Sequence, residues 1–288
     1  MLRSVLFACA AFLGAHPLAA QDTQLPFASF DIASAPILND PHDLAFGPDG
    51  NLYVADKFAN RVTILDPETL EFVGSIGDGQ LFGAHDVSFD SEGRLYVAAT
   101  AISAVAVYEL GGDAAELVSM LGRFPNTEGA LAHSNGRLYV MVSGTGQLAA
   151  ISDNELVALA DGMVGAHDVA QAPDGTIWVA DNRAQRLVQF DEELTQLAVL
   201  DDPKFGFVGP RYMDFADDGT LIVADQDAHR VLRIDPVAGD LLGVIGSGEP
   251  GLGPNLLDDP EGVAVRGNEF YFADSDNNRI VRYVVLLN

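Results

Sequence analysis

Three histidines occupy one recurring setting: His42-Asp43-Leu44, His85-Asp86-Val87 and His167-Asp168-Val169. The chain has six histidines, and apart from His16 in the leader only His133 and His229 fall outside this setting; both read as ordinary surface residues. The matching places in the other repeats hold Glu128, Arg211 and Glu261. Neutral imidazole is the commonest protein ligand for a transition metal, and carboxylate oxygen joins it readily. Three imidazoles, two carboxylates and one guanidinium around one opening suit a divalent transition metal. Arg211 could hold a substrate carboxylate through two parallel hydrogen bonds. Tyr212, beside it, carries a hydroxyl able to act as general acid or base. The competing reading is inheritance from one ancestral repeat, with the histidines bonded to loop carbonyls and Asp43, Asp86 and Asp168 capping backbone N–H groups. Against it stands the replacement of histidine by Glu, Arg and Glu, charges that are costly at a buried mouth unless they are paired or bind something.

Positioning such a ring requires a repeat, and the sequence has one. Pro41 to Asp66 reads PHDLAFGPDGNLYVADKFANRVTILD, and Ala166 to Asp191 repeats it as AHDVAQAPDGTIWVADNRAQRLVQFD. Aligned on Tyr53, Tyr96, Tyr139, Trp178, Ile222 and Tyr271, the units are 43, 43, 39, 44 and 49 residues apart. A period near 40 to 50 with several short alternating strands per unit is the signature of propeller blades. Hairpin turns punctuate the units at Gly50, Gly93, Gly136, Gly175 and Gly219, where glycine supplies positive φ. The final unit holds three strands, Gly262–Val265, Phe270–Ala273 and Arg279–Val285, and then ends. Phe27–Ile32 is the expected fourth, closing the ring and removing its free edges. The expectation is all-β: one six-bladed propeller over residues 21–288, with residue 42 and its equivalents hanging over the channel.

Residues 1–20 read as a secretory signal peptide: Arg3, an apolar run too short to span a bilayer, then Leu18-Ala19-Ala20 before polar Gln21. Cleavage near Ala20 would place the mature chain outside the cytoplasm, in the periplasm or secreted. The single cysteine, Cys9, would leave with the leader, which excludes disulfides, Fe–S clusters and thiol catalysis in the mature chain. No later run is apolar enough for a membrane span. A net charge of −27, from 42 acidic residues against 15 basic, repels phosphate backbones and argues against nucleic acid.

The unit P-x-x-[LV]-A-x-x-x-D-G-x-L-Y-V-A-D-x-x-x-N-R-V resembles the NHL repeat over the whole mature chain. Its Asp and Arg recur as Asp56/Arg61, Asp181/Arg186, Asp225/Arg230 and Asp274/Arg279, whereas blades 2 and 3 have Ala99/Ala104 and Val142/Gln147. Four copies of one pair point to a scaffold role. Among NHL propellers, the mouth resembles that of peptidyl-α-hydroxyglycine α-amidating lyases, in which three histidines from separate blades hold a zinc and a calcium lies near the axis. One of those histidines sits in a Pro-His-Asp-[IL] context like Pro41-His42-Asp43-Leu44. The resemblance implies His42, His85 and His167 as metal ligands, with Glu128 and Glu261 at hand. It implies calcium ligation by one of Asp43, Asp86 and Asp168. Lys57 stands where the lyases have an arginine, and the histidines here lie on blades 1, 2 and 4 instead of alternate blades. Two functions follow: a metal-dependent lyase or hydrolase taking a small polar or peptide-like ligand at the top face, or a non-catalytic propeller binding a peptide, glycan or protein partner. An inert structural module is a third. A gluconolactonase-type site fits less well, since those rely on Glu, Asn and Asp. No Ser-His-Asp elbow, P-loop or Rossmann glycine fingerprint is visible.

Overall fold

The computed structural model describes residues 26–111 and 114–285; the leader and its expected cleavage point lie outside them. Its strands form six four-stranded antiparallel sheets, with three short 3₁₀ turns between strands. Each sheet is one repeat unit. The inner strands are Pro41–Phe46, Ala84–Phe89, Thr127–Ala132, Val169–Gln171, Pro210–Phe215 and Pro260–Arg266. Closure follows the expected route. Ser29–Ala33 pairs antiparallel with Arg279–Val284 and supplies the outer strand of blade 6, so the first and last strands share a sheet. All five predicted hairpin glycines have positive φ, between 80 and 84°. Among the described residues no helix is long and apolar enough to cross a membrane.

The core is divided between the blades. Six apolar clusters each join one neighbouring pair of sheets. The alternation of the strands dictates this, because each sheet must bury both faces against its neighbours. Tyr53 with Phe89, and Phe46 with Tyr271, pack edge to face across two of these seams. The recurrent Asp–Arg pair is structural. Asp56, Asp181, Asp225 and Asp274 are fully buried, and each accepts from its arginine Nε at 3.2, 2.9, 3.0 and 2.6 Å. The other carboxylate oxygen takes a backbone N–H of the loop entering the blade, from Asn39, Val164, Val208 and Asp258.

One irregularity shapes the functional face. In blades 1, 2, 3, 5 and 6 the ladder between the first two strands shifts register at the residue in question: between Pro41 and Leu44, Ala84 and Asp86, Thr127 and Gly129, Pro210 and Tyr212, and Pro260 and Val263. A bulge re-aims a side chain and strengthens local twist. It turns residues 42, 85, 128, 211 and 261 out of the sheet and over the channel.

Candidate functional site

The six predicted mouth residues converge. His42, His85, Glu128 and Glu261 are buried, and His167 and Arg211 are partly so. The His42 and His85 rings lie 4.2 Å apart between centroids, and His85 and His167 5.9 Å. Charges pair across the opening. Glu261 Oε2 is 3.0 Å from His42 Nε2 and 3.2 Å from Arg211 Nε. Glu128 Oε2 is 2.6 Å from His167 Nε2. Burial alone would raise the Glu261 carboxyl, but the positive charges of His42 and Arg211 outweigh it and hold it at about 2. Glu128 is likewise held below its ordinary value: burial opposes, and the hydrogen bond and charge of His167 prevail. His85 is pushed well down, first by burial and then by His42 and Arg211, so it is neutral.

The tautomer of His85 follows from Tyr212. That hydroxyl, fully buried, lies 2.7 Å from His85 Nδ1 and 2.9 Å from the His85 carbonyl oxygen. With one proton it satisfies both contacts only by donating to the carbonyl and accepting Nδ1–H, which leaves Nε2 with its lone pair. Burial, then Glu261, pushes the phenol well above its ordinary value. Tyr212 therefore positions His85. Its own proton does not leave near neutral pH.

His42 is over-subscribed. Its Nδ1 is 3.2 Å from the Asp40 carbonyl oxygen, and its Nε2 is 2.9 Å from Lys57 Nζ as well as close to Glu261. Lys57 Nζ also lies 3.2 Å from Asp40 Oδ2. One lone pair cannot serve an ammonium and face a carboxylate, and Glu261 Oε2 is left without an aligned donor. Glu128 Oε2 and Arg211 Nε likewise face their ion-pair partners without an aligned hydrogen bond, and His167 Nδ1 has no partner. Among the described residues only one other buried side-chain atom, Asn182 Nδ2, lacks a partner. Each such group costs about 1–3 kcal/mol if nothing satisfies it.

The donor sets differ from the predicted one. Among the described residues, the ligating group whose atoms lie within 4.8 Å of one another is Asp40, His42 and Glu261. His85 and His167 share the mouth but do not join that group. Asp40 escaped the sequence reading because it lies two residues before the repeated histidine position, in a left-handed conformation (φ 60°). Lys57 is in place, its ammonium standing where a cation would sit.

One residue deeper, the aspartates behave differently. Asp43 accepts the Val87 N–H at 3.1 Å, Asp168 accepts Met213 N–H at 2.8 Å, and Asp86 bonds the Ala130 N–H. Each staples its inner strand to the next blade, as does Asp214, which accepts Val265 N–H at 2.8 Å. Burial raises all four, and repulsion from neighbouring carboxylates adds to it for Asp43, Asp86 and Asp168: Asp43 and Asp86 go well up, Asp168 to about 8 and Asp214, by burial, to about 6. They line a channel of about 360 Å³. Blades 3 and 6 have glycine here because the neighbouring backbone intrudes: a Cβ on Gly129 would lie 2.6 Å from the His167 carbonyl, and one on Gly262 would strike that of His42.

His133 is not a surface residue. It is buried, its Nε2 lies 3.0 Å from the Gly175 carbonyl, and its ring packs on Tyr139, so it ties blade 3 to blade 4. His229 accepts the Asp259 N–H from a left-handed backbone position.

The NHL repeat family model matches residues 38–65 and 164–190, the units of blades 1 and 4. These two units of the chain carry the NHL repeat. The propeller superposes on a virginiamycin B lyase from Staphylococcus aureus with a TM-score of 0.63 at 12% identity, over 86% of this chain and 96% of that one. An auxiliary nutrient binding protein from Bacteroides thetaiotaomicron gives 0.69 at 16% identity, over 85% and 69%. At such identities the likeness is one of fold, shared by a lyase and a binding protein alike. A PE-PGRS family protein of Mycobacterium tuberculosis is 49% identical over 41 residues, a match spanning 14% of this chain and 9% of the relative's length.

Proposed function

We propose that the mouth is a divalent-metal site, zinc first, at which a small polar substrate undergoes a lyase or hydrolase reaction outside the cytoplasm. The observation that carries this reading is the crowding of buried imidazole, carboxylate and guanidinium groups at one opening, where the ligating atoms of Asp40, His42 and Glu261 lie within 4.8 Å of one another and His167 Nδ1 has no partner. A fold keeps such a set where a ligand completes it. Asp40, His42 and Glu261 would hold the metal, an imidazole and two carboxylates being a donor set zinc accepts. When bound, the ion would supply a Lewis acid for a carbonyl or hydroxyl oxygen. His85, neutral and with its Nε2 lone pair open, is suited to accept a hydrogen bond from a substrate hydroxyl, and Tyr212 fixes its tautomer. Arg211 spends Nη1 on Gln226 and turns Nε to Glu261, leaving Nη2 for a substrate carboxylate. The second oxygens of Asp43, Asp86 and Asp168 are the set an axial calcium would meet, relieving their mutual repulsion.

The contact of Lys57 with His42 and Asp40 favours a second reading. Its ammonium already supplies a cation, so the mouth would bind a peptide, glycan or protein partner without metal or catalysis. Calorimetric titration of chelator-treated mature protein with zinc separates the two. The first reading expects about one site per chain, lost in Asp40→Asn and His42→Ala; no saturable uptake would leave the second standing.

A further inference from the structure

Between blades 2 and 3 the outer wall opens into a groove of about 630 Å³. Its origin is a missing clamp. In blades 4, 5 and 6 the repeat arginine reaches beyond its aspartate to the loop arriving from the preceding blade: Arg186 Nη2 donates to the Gly162 carbonyl at 2.9 Å, Arg230 to Gly206 at 2.7 Å, and Arg279 to Leu252 at 3.4 Å. Blade 3 has Val142 and Gln147 at the two clamp positions, and both line the groove. The arriving loop, Arg123-Phe124-Pro125, forms the facing wall. Blade 2 has lost the same pair, but there Leu81 is fully buried in the cluster with Ala99 and Ala106.

The lining is apolar and carries one sign of charge. Met120, Leu156 and Leu159 are exposed along it, Leu156 at 62%. Of its fourteen lining residues one is charged, Arg123, and none is acidic, in a chain with 42 acidic residues. Nearly every other cation is paired, whereas the Arg123 side chain has no hydrogen-bond or ion-pair partner among the described residues. It is held at φ 80°, a conformation uncommon for a residue with a Cβ and maintained only where the surroundings fix it.

We propose that this groove is a second ligand site, distinct from the mouth, for a small amphipathic carboxylate whose apolar chain lies between blades 2 and 3 and whose head pairs with Arg123. The volume is that of ordinary small-molecule pockets, which are apolar with a few polar groups fixing orientation. The charge pattern selects an anion where the rest of the surface repels one. A guanidinium is the side chain best matched to carboxylate geometry.

The test is calorimetric titration of the mature full chain with decanoate, below its micelle concentration. Saturable binding near one per chain is expected, weakening at least tenfold in Arg123→Gln and weakening again as salt is raised. The double variant Val142→Asp with Gln147→Arg rebuilds the clamp of the other blades. It should close the groove and abolish binding, while zinc uptake at the mouth is retained. Should that variant not fold, Arg123→Gln and the exposed Leu156→Glu decide alone, the latter also abolishing binding. No saturable binding to the wild type, or binding that Arg123→Gln leaves unchanged, overturns the proposal. So does sedimentation showing two chains joined through the groove and separated by Leu156→Glu, which would make it a self-association face.

Discussion

His42 and Asp43 are neighbours in sequence, as are His85 and Asp86, and His167 and Asp168, yet the two members of each pair are satisfied in different ways. The aspartates carry oxygens bonded to backbone N–H groups of the next blade. One residue outward, carboxylate, imidazole and guanidinium groups crowd one another, and four of their atoms, three of them in ion pairs, lack an aligned hydrogen bond. Both layers are buried and both are charged or chargeable, so burial alone does not mark a functional site. What separates scaffold from site is completeness: the deeper layer is closed by the protein itself, and the outer layer is left open.

Breaking the deeper layer should cost the most. Asp214→Ala removes the acceptor of both the Val265 and Phe215 N–H groups. Each bare donor costs about 1–3 kcal/mol, so the melting temperature should fall by roughly 5–10 °C with zinc uptake at the mouth unchanged. His133→Ala should follow the same pattern more weakly, because it severs a tie between blades away from the mouth.

The same layer should set the pH dependence. Burial pushes the Asp168 carboxyl up to about 8 in the folded chain, and that of Asp214 up to about 6, both above the ordinary carboxylate range. Between that range and these values the folded state binds more protons than the unfolded, so stability falls as pH rises through about 4 to 8. His85 and His167 have depressed values; they remove stability as pH falls below about 6.5. From pH 6.5 to 8 Asp214 is ionised in both states, and Asp168 with the still higher Asp43 and Asp86 should lower stability as pH rises, by at most about 1.4 kcal/mol per pH unit for each group. Thermal melts across that range check it, and Asp168→Asn should flatten the slope.

The outer layer should respond in the opposite way. His42→Ala is expected to abolish zinc binding, and to cost about 3 kcal/mol because it takes one partner from the buried Glu261 carboxylate. Lys57→Met should affect stability least and tighten zinc about tenfold by removing a competing positive charge. Weaker zinc binding in Lys57→Met would show that the ammonium supports the ligand.

The blade count, the ring closure by the N-terminal strand (expected at Phe27–Ile32, found at Ser29–Ala33) and the six mouth positions were legible because a repeat converts sequence register into spatial register. The staples were legible only as an alternative: an aspartate after each histidine fits a cap as well as a ligand until its partner on the next blade is seen. The His42–Glu261 pair was not legible as a contact, because it joins blades 1 and 6 and exists only once the ring has closed. Asp40 was missed for lying off the repeated position, and His133 was misplaced because a lone histidine beside a turn gives no sign of the neighbouring blade that covers it. The loss of the Asp–Arg pair in blade 3 was plain in Val142 and Gln147, but not that its absence would leave a groove.

The most direct test is the melting temperature of chelator-treated protein with and without zinc, measured in parallel for the wild type, His42→Ala and Asp214→Ala. A ligand that binds only the folded chain raises its stability by about 2.7 kcal/mol at one hundred times its dissociation constant. The open mouth predicts a zinc-dependent rise in the wild type, an equal rise in Asp214→Ala from a lower starting point, and none in His42→Ala. No rise in the wild type, or an undiminished one in His42→Ala, would contradict it.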